Sequence, residues 1–165
     1  MNKIIENQFP SLVKCNVAVI GLGYVGLPLA IELERTKVCL RSGSDLDRNI
    51  IAFDISENRI SELKNCFDRT NEISKNELLT AQNITFTSDK KELIEADIFI
   101  ITVPTPIDDS KRPDLSILEA ASLTVGEAIV MRKRKFNSQD HDKSLPIIVY
   151  ESTVYPGATE EICIP

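Results

Sequence analysis

Apolar and polar positions fall into blocks along the chain, and the blocks change period. The first is Val17-Ala18-Val19-Ile20, four apolar residues in a row, which predicts a strand over about Asn16–Ile20 buried on both faces. From Tyr24 the pattern becomes helical, with Val25, Leu29 and Leu33 recurring at every fourth residue as far as about Arg35. Ile50-Ile51-Ala52-Phe53 predicts a second strand closed by Asp54, and Ser56 to Lys64 an amphipathic helix with Ile60 and Leu63 inward. Ser74-Lys75-Asn76-Glu77 carries the S-x-x-E capping-box pattern and opens a short helix to about Ala81. Ile84 to Thr87 alternates as a strand does, and Ser88 to Glu95 reads as a short helix with a solvated lysine and glutamate face. Residues 96–103 are the clearest buried strand, stopped by Pro104-Thr105-Pro106 because proline cannot continue a ladder. Asp114 then caps a helix to about Met131, with Leu118, Ala121, Val125 and Ala128 inward. Pro146 to Tyr150 is the last strand, and Ala158 to Cys163 begins a final helix.

Strands and helices alternate throughout. This predicts one α/β domain, a Rossmann-type doubly wound parallel sheet with right-handed crossovers. Two stretches do not declare themselves: 37–41 either ends the first helix or begins a strand, and 42–48 reads as an extended surface loop.

Between the first strand and its helix, Gly21, Gly23 and Gly26 match G-x-G-x-x-G. Gly21 permits the sharp turn, Gly23 lets a pyrophosphate approach the backbone, and Gly26 lets helix and strand pack closely. Pro28 is tolerated because the first helical amides lack intrahelical partners, and those same amides, around Gly23, Tyr24 and Val25, make an anion site. Asp54 stands where a dinucleotide fold puts the carboxylate that accepts from the adenosine ribose hydroxyls. Its separation from the glycines exceeds the usual distance of about 20 residues, which the polar loop before Arg48 accounts for. As an alternative, Asp54 caps the following helix, a task Ser56 would do equally well. A carboxylate there repels a 2′-phosphate and favours NAD over NADP, whereas Arg59, one turn on, would offset such a phosphate. Thr105, beyond one strand's carboxyl end, and the hydroxyl pair Ser152 and Thr153, beyond another's, point at the same crevice.

Charge and composition narrow the partners. The chain has 165 residues, enough for one domain with its own core, and a net charge of -6. With a pI near 4.9 it fits neither nucleic acid nor an anionic membrane surface. There is no apolar run long enough to span a bilayer and no signal-peptide pattern, so the cytoplasm is the expected compartment. Cys15, Cys39, Cys66 and Cys163 are scattered without a C-x-x-C pair, which argues against zinc or a disulfide framework. His141, the only histidine, lies in a charged segment and reads as a solvated loop residue rather than a base. The basic run 132–135 reads as a complement to the preceding helix's C-terminus and nothing more.

Three motifs together resemble the UDP-glucose/GDP-mannose dehydrogenase family of nucleotide-sugar 6-dehydrogenases: Val19-Ile20-Gly21-Leu22-Gly23-Tyr24-Val25-Gly26-Leu27-Pro28-Leu29, Val103-Pro104-Thr105-Pro106, and Tyr150-Glu151-Ser152-Thr153-Val154-Tyr155-Pro156-Gly157. The last looks most like the branch acting on UDP-N-acetylhexosamines in surface-polysaccharide synthesis. The loops at about 37–49 and 132–144 look like insertions. The resemblance implies that amides around Gly23, Tyr24 and Val25 face the pyrophosphate and that Asp54 and Arg59 hold the adenosine ribose. It further implies that Val103, Pro104, Thr105 and Ser152 meet the cofactor further along, and that Thr153 sits near the nicotinamide, where it helps orient a catalytic water. Family members oxidise a sugar C6 alcohol to a carboxylate in two hydride transfers to NAD, through a thiohemiacetal on a cysteine. That cysteine, its lysine and asparagine neighbours, the central helix through which the family dimerises and the sugar-binding domain match nothing in these residues; no cysteine here lies in a matching motif. The expectation is a domain that holds NAD but does not turn over alone. Other readings stay open at this point: the cofactor domain of a different NAD(P) dehydrogenase, such as a 6-phosphogluconate or hydroxyacyl-CoA enzyme, or a non-catalytic nucleotide-binding module.

Overall fold

The computed structural model describes residues 9–11, 13–107, 112–135 (side chains to 133) and 144–164; His141 lies outside the described residues. Five strands, β1 (Lys14–Ile20), β2 (Asp47–Phe53), β3 (Ile84–Thr87), β4 (Ile98–Ile101) and β5 (Ile147–Tyr150), form one sheet in the order β3-β2-β1-β4-β5. Every pairing is parallel. Helices α1 (Gly26–Arg35), α2 (Glu57–Lys64) and α3 (Lys75–Thr80) follow β1 and β2. A 3₁₀ turn (Lys90–Glu95) and α4 (Ser116–Lys135) flank β4.

The two faces of the sheet carry separate cores, as double winding requires. One joins Val17, Val19, Ile50 and Ala52 to Leu27, Ala30 and Ile31 of α1 and to Ile60 and Leu63 of α2. The other joins Ala18, Ile20, Phe99 and Ile101 to Leu93 and to the predicted inner face of α4, Leu118, Ala121, Val125 and Ala128. Alternate residues of β1 thus point into opposite cores, which is why the strand is apolar at every position from Val17.

The sheet is parallel and doubly wound, and α2 and α4 bury the faces expected of them. Helix α1 buries Gly26, Leu27, Ala30 and Ile31 rather than the stripe of Val25, Leu29 and Leu33, and some ends differ. β2 begins at Asp47 rather than Ile50, because Asp47, Arg48 and Asn49 pair with Lys14, Cys15 and Asn16 at the sheet's solvated amino edge. Polar side chains there conceal a ladder that the backbone still makes. The ambiguous segment is neither helix end nor sheet strand: it doubles back, with Val38 bridged to Asp45 and Leu46 N–H donating to the Lys37 carbonyl at 2.8 Å. The helix expected over 88–95 is a 3₁₀ turn, capped by Asp89. The basic run has a task beyond its helix dipole: Arg132 is buried and donates to the Ala96 carbonyl and to Asp97 (2.7 Å), pinning α4 to the start of β4. The predicted capping box is present, with Ser74 and Glu77 each accepting from the other's backbone.

Candidate functional site

Register levels the carboxyl ends of three strands. Ile20 sits opposite Phe53 and Ile101, so the next residues, Gly21, Asp54 and Thr102, meet at one rim. β1 pairs with both β2 and β4, so the direction of winding reverses beside it, and the crevice beyond such a point is where open α/β sheets bind ligands.

The glycine loop is fixed by close contacts. Gly21 has φ +93° and its N–H donates to the Phe53 carbonyl at 2.9 Å. Gly26 passes so close that a Cβ would lie 1.9 Å from the Gly21 carbonyl oxygen and 2.4 Å from Thr102 Oγ1. Thr102, which the sequence reading did not single out, donates its hydroxyl to the Ile20 and Gly21 carbonyls (3.0 and 2.8 Å). The signal for it was a hydroxyl closing an otherwise apolar strand. Above Gly23 there is space, since a Cβ there would meet nothing within 4 Å.

α1 begins at Gly26 rather than Tyr24, because the chain is still turning at 24 and 25. Its cap, Val25, makes no side-chain hydrogen bond, and its first turn holds no acidic residue. Among the described residues the amides of Gly23, Tyr24 and Val25 find no acceptor. Tyr24 and Val25 are 70% and 57% exposed. These amides and the positive end of the helix dipole are therefore free to receive an anion.

Asp54 spans this loop and α2. Its Oδ2 accepts from Leu22 N–H and its Oδ1 from Ser56 N–H, both at 2.9 Å. Ser56, not Asp54, is the helix cap, accepting from Arg59 N–H at 3.3 Å. Arg59 holds the other end of Leu22, donating from Nε to its carbonyl, in the next peptide group, at 2.9 Å. Arg59 is 5% exposed; its Nη2 pairs with Asp68 at 2.7 Å, while Nη1 is buried with no hydrogen-bond partner among the described residues.

Asp68, also missed from sequence, organises the polar turn after α2. It accepts from Thr70 Oγ1 (2.7 Å) and from the amides of Thr70, Glu72 and Ile73 (each 3.0 Å) as well as from Arg59. An aspartate two residues before a threonine is an Asx-turn signal that could have marked it. Burial raises its pKa, but the hydrogen bonds from Thr70, Ile73 and Arg59 outweigh that and hold it at about 2, below the ordinary 3.8. Because the folded carboxyl titrates below the unfolded one, its contribution is complete above about pH 4 and is lost as pH falls toward 2. We expect melting temperature to fall across that window and Asp68→Asn to flatten the fall; thermal melts from pH 6 to pH 2.5 check this, and parallel curves for the two chains would contradict it.

The loops after β4 and β5 are stapled to each other. Thr105 Oγ1 donates to the Thr153 carbonyl at 2.6 Å, and Ser152 Oγ to the Val103 carbonyl at 2.7 Å. Thr153 presents an exposed side chain beside this staple. A cavity of about 420 Å³ opens between the tips of β1 and β2, the Val103–Pro104 turn and α4, lined by Phe53, Asp54, Ile55, Val103, Pro104 and, from α4, Ile117. Thr105, Ser152 and Thr153 stand outside its lining, and the staple reaches it only through Val103. Ser152→Ala or Thr105→Val should each weaken binding of a ligand in the crevice by about 1 kcal/mol, the usual size of one hydrogen bond, without unfolding the chain. Calorimetry alongside circular dichroism checks this; unchanged affinity in both would separate the staple from the site. Among the described residues, no group of three or more His, Cys, Asp or Glu is placed to hold a metal, and no helix is long and apolar enough to cross a membrane.

Comparison with known proteins agrees with this fold. Residues 15–165 match the family described as the UDP-glucose/GDP-mannose dehydrogenase family, NAD binding domain. The chain is 47% identical over 150 residues to protein CapL of Staphylococcus aureus, covering 91% of this chain and 30% of that protein. It is 43% identical over 149 residues to the UDP-N-acetyl-D-glucosamine 6-dehydrogenase of Pseudomonas aeruginosa, covering 90% of this chain and 30% of that one. Among solved structures, the UDP-D-ManNAc dehydrogenase of Pyrococcus horikoshii superposes with a TM-score of 0.67 at 29% identity, over 89% of this chain and 30% of its own. The chain therefore spans about 30% of the length of the curated relatives it matches.

Proposed function

The chain belongs to the UDP-glucose/GDP-mannose dehydrogenase family as its NAD-binding domain, and on that premise we propose that the whole protein oxidises the C6 alcohol of a UDP-N-acetylhexosamine to the uronate. The observation that carries the cofactor half of this reading is the pairing of two features across the Leu22 peptide. On one side stand the uncommitted amides of Gly23, Tyr24 and Val25; on the other stands the Asp54 carboxylate. A diphosphate needs the first and a vicinal diol the second. The open space over Gly23 fits a group that must approach the backbone closely.

NAD, when bound, supplies the hydride acceptor. This chain's residues bind and orient it. The amides of Gly23, Tyr24 and Val25, just ahead of α1, donate to the diphosphate, and Asp54 accepts from the ribose hydroxyls while keeping the loop in place. Arg59 supports that grip through the Leu22 carbonyl. Phe53, Ile55, Val103 and Pro104 offer an apolar wall to a flat heterocycle. Thr105 and Ser152 keep the far wall rigid, and Thr153 is assigned to the nicotinamide end, where its hydroxyl helps orient water. Support for the N-acetylhexosamine comes from the relatives that carry UDP-N-acetyl-D-glucosamine in their names. We assign the nucleophilic cysteine, the sugar pocket and a homodimer interface to the part of such proteins that this chain does not span, and the reaction to the cytoplasm.

The test is calorimetry of the 165-residue chain with NAD and with UDP-N-acetylglucosamine, followed by an assay of NADH formation with both present. NAD binding without NADH is the expected result. Failure to bind NAD would overturn the reading of the crevice, and NADH formation would overturn the assignment of the chemistry elsewhere.

A further inference from the structure

NADP differs from NAD by one phosphate on the adenosine 2′-oxygen, and folds of this kind accommodate it with an arginine beside the strand-two tip. Two arginines stand there. Arg59 holds the carbonyl of Leu22, whose N–H Asp54 holds, and Arg69 is tied to the Glu62 carboxylate that lies beside Arg59. From sequence alone Asp54 favours NAD, and Arg59 tempers that preference.

Their partners decide. Arg69 is gripped by both oxygens of Glu62, at 2.6 and 2.7 Å. The same carboxylate lies 3.9 Å from Arg59 Nη1, and Arg59 Nη2 is 2.7 Å from Asp68. The four side chains thus form a row, Arg69–Glu62–Arg59–Asp68, in which two positive charges meet two negative ones. Asp68 cannot follow Arg59 toward a ligand, because three backbone amides hold it. Nor can Arg59 leave without stranding a buried carboxylate, a costly arrangement.

We propose that Glu62 and Asp68 are cofactor-specificity determinants: by holding Arg69 and Arg59 in ion pairs beside Asp54, with the unpartnered Arg59 Nη1 buried, they keep both guanidiniums from swinging out to a 2′-phosphate, so the crevice takes NAD and turns NADP away. The inference rests on the crevice binding a dinucleotide, as proposed above, and adds what chooses between the two.

Dissociation constants for NAD and NADP, measured by calorimetry on the unaltered chain, Glu62→Gln and Asp68→Asn, test it. The ratio of the NADP constant to the NAD constant should exceed ten in the unaltered chain. Glu62→Gln should lower that ratio at least fivefold, and the gain should shrink as salt is raised. Glu62 is at the surface, with its side chain 27% exposed, so this variant keeps the fold and decides the matter even where Asp68→Asn does not fold. Where Asp68→Asn folds, its ratio should fall too; a purely structural role would weaken both cofactors alike and leave the ratio unmoved. An unchanged ratio in Glu62→Gln, or an unaltered chain that holds NADP as tightly as NAD, overturns the inference while leaving the site intact. A chain that binds neither cofactor overturns the reading of the site itself, and the inference falls with it.

Discussion

Gly26→Ala will remove NAD binding from this chain, weakening it by about 100-fold or more, or roughly 3 kcal/mol at 1.4 kcal/mol per tenfold. The added carbon would stand 1.9 Å from the Gly21 carbonyl oxygen, a backbone atom that cannot swing aside as the end of a side chain can. Relief requires α1 to move away from the end of β1, and that movement displaces the amides of Gly23, Tyr24 and Val25 together. The same overpacking should cost the fold about 1–3 kcal/mol. Gly23→Ala is the informative contrast. Its Cβ meets nothing in the protein, so melting temperature should hold while NAD affinity falls, because the new methyl occupies the space a diphosphate needs. Calorimetry and thermal melts on both variants separate the two roles. Full NAD affinity in Gly26→Ala would mean that the close approach of helix and strand is irrelevant to the site.

Asp54→Ala carries the second largest effect. It leaves the Leu22 and Ser56 amides without their acceptor and takes away the carboxylate offered to the ribose. Unpaired partners of this kind cost about 1–3 kcal/mol, so NAD should bind roughly 5- to 150-fold more weakly. Asp54→Asn should recover only part of this. Its amide nitrogen must face either the Leu22 or the Ser56 N–H, donor against donor, whichever way it is turned. Unchanged affinity in Asp54→Ala would remove the residue from the site.

What could be read from the sequence follows the range of the forces involved. Gly21, Gly23 and Gly26, the Ser74–Glu77 capping box and the inward faces of α2 and α4 are set by residues within a few positions of one another, and all appear as local patterns. The sequence also placed Asp54 at the tip of β2, because a burst of apolar residues ends there. Its grip on Leu22, 32 positions away, left no local trace. Arg132 looks like one of four consecutive basic residues, yet its partners are Ala96 and Asp97, just ahead of β4. Thr102 escapes notice for the same reason: a hydroxyl that bonds across the fold looks in sequence like one that faces water. Asp68 differs, because its partners lie within nine positions and its Asx-turn signal is local. The early start of β2 was hidden because Asp47, Arg48 and Asn49 lie at the solvated edge, where hydrogen-bond pairing and hydrophobic pattern separate.

The central claim is that a diphosphate rests on the amides where α1 leaves β1. Amide ¹⁵N–¹H spectra of the labelled chain during a titration with NAD test it most directly. The account predicts that Leu22, Gly23, Tyr24 and Val25 shift along one saturation curve, with Asp54 and Ser56 moving in step. Silence at those amides, with shifts gathered instead in the groove of about 770 Å³ between α4 and residues 161–164, would contradict it.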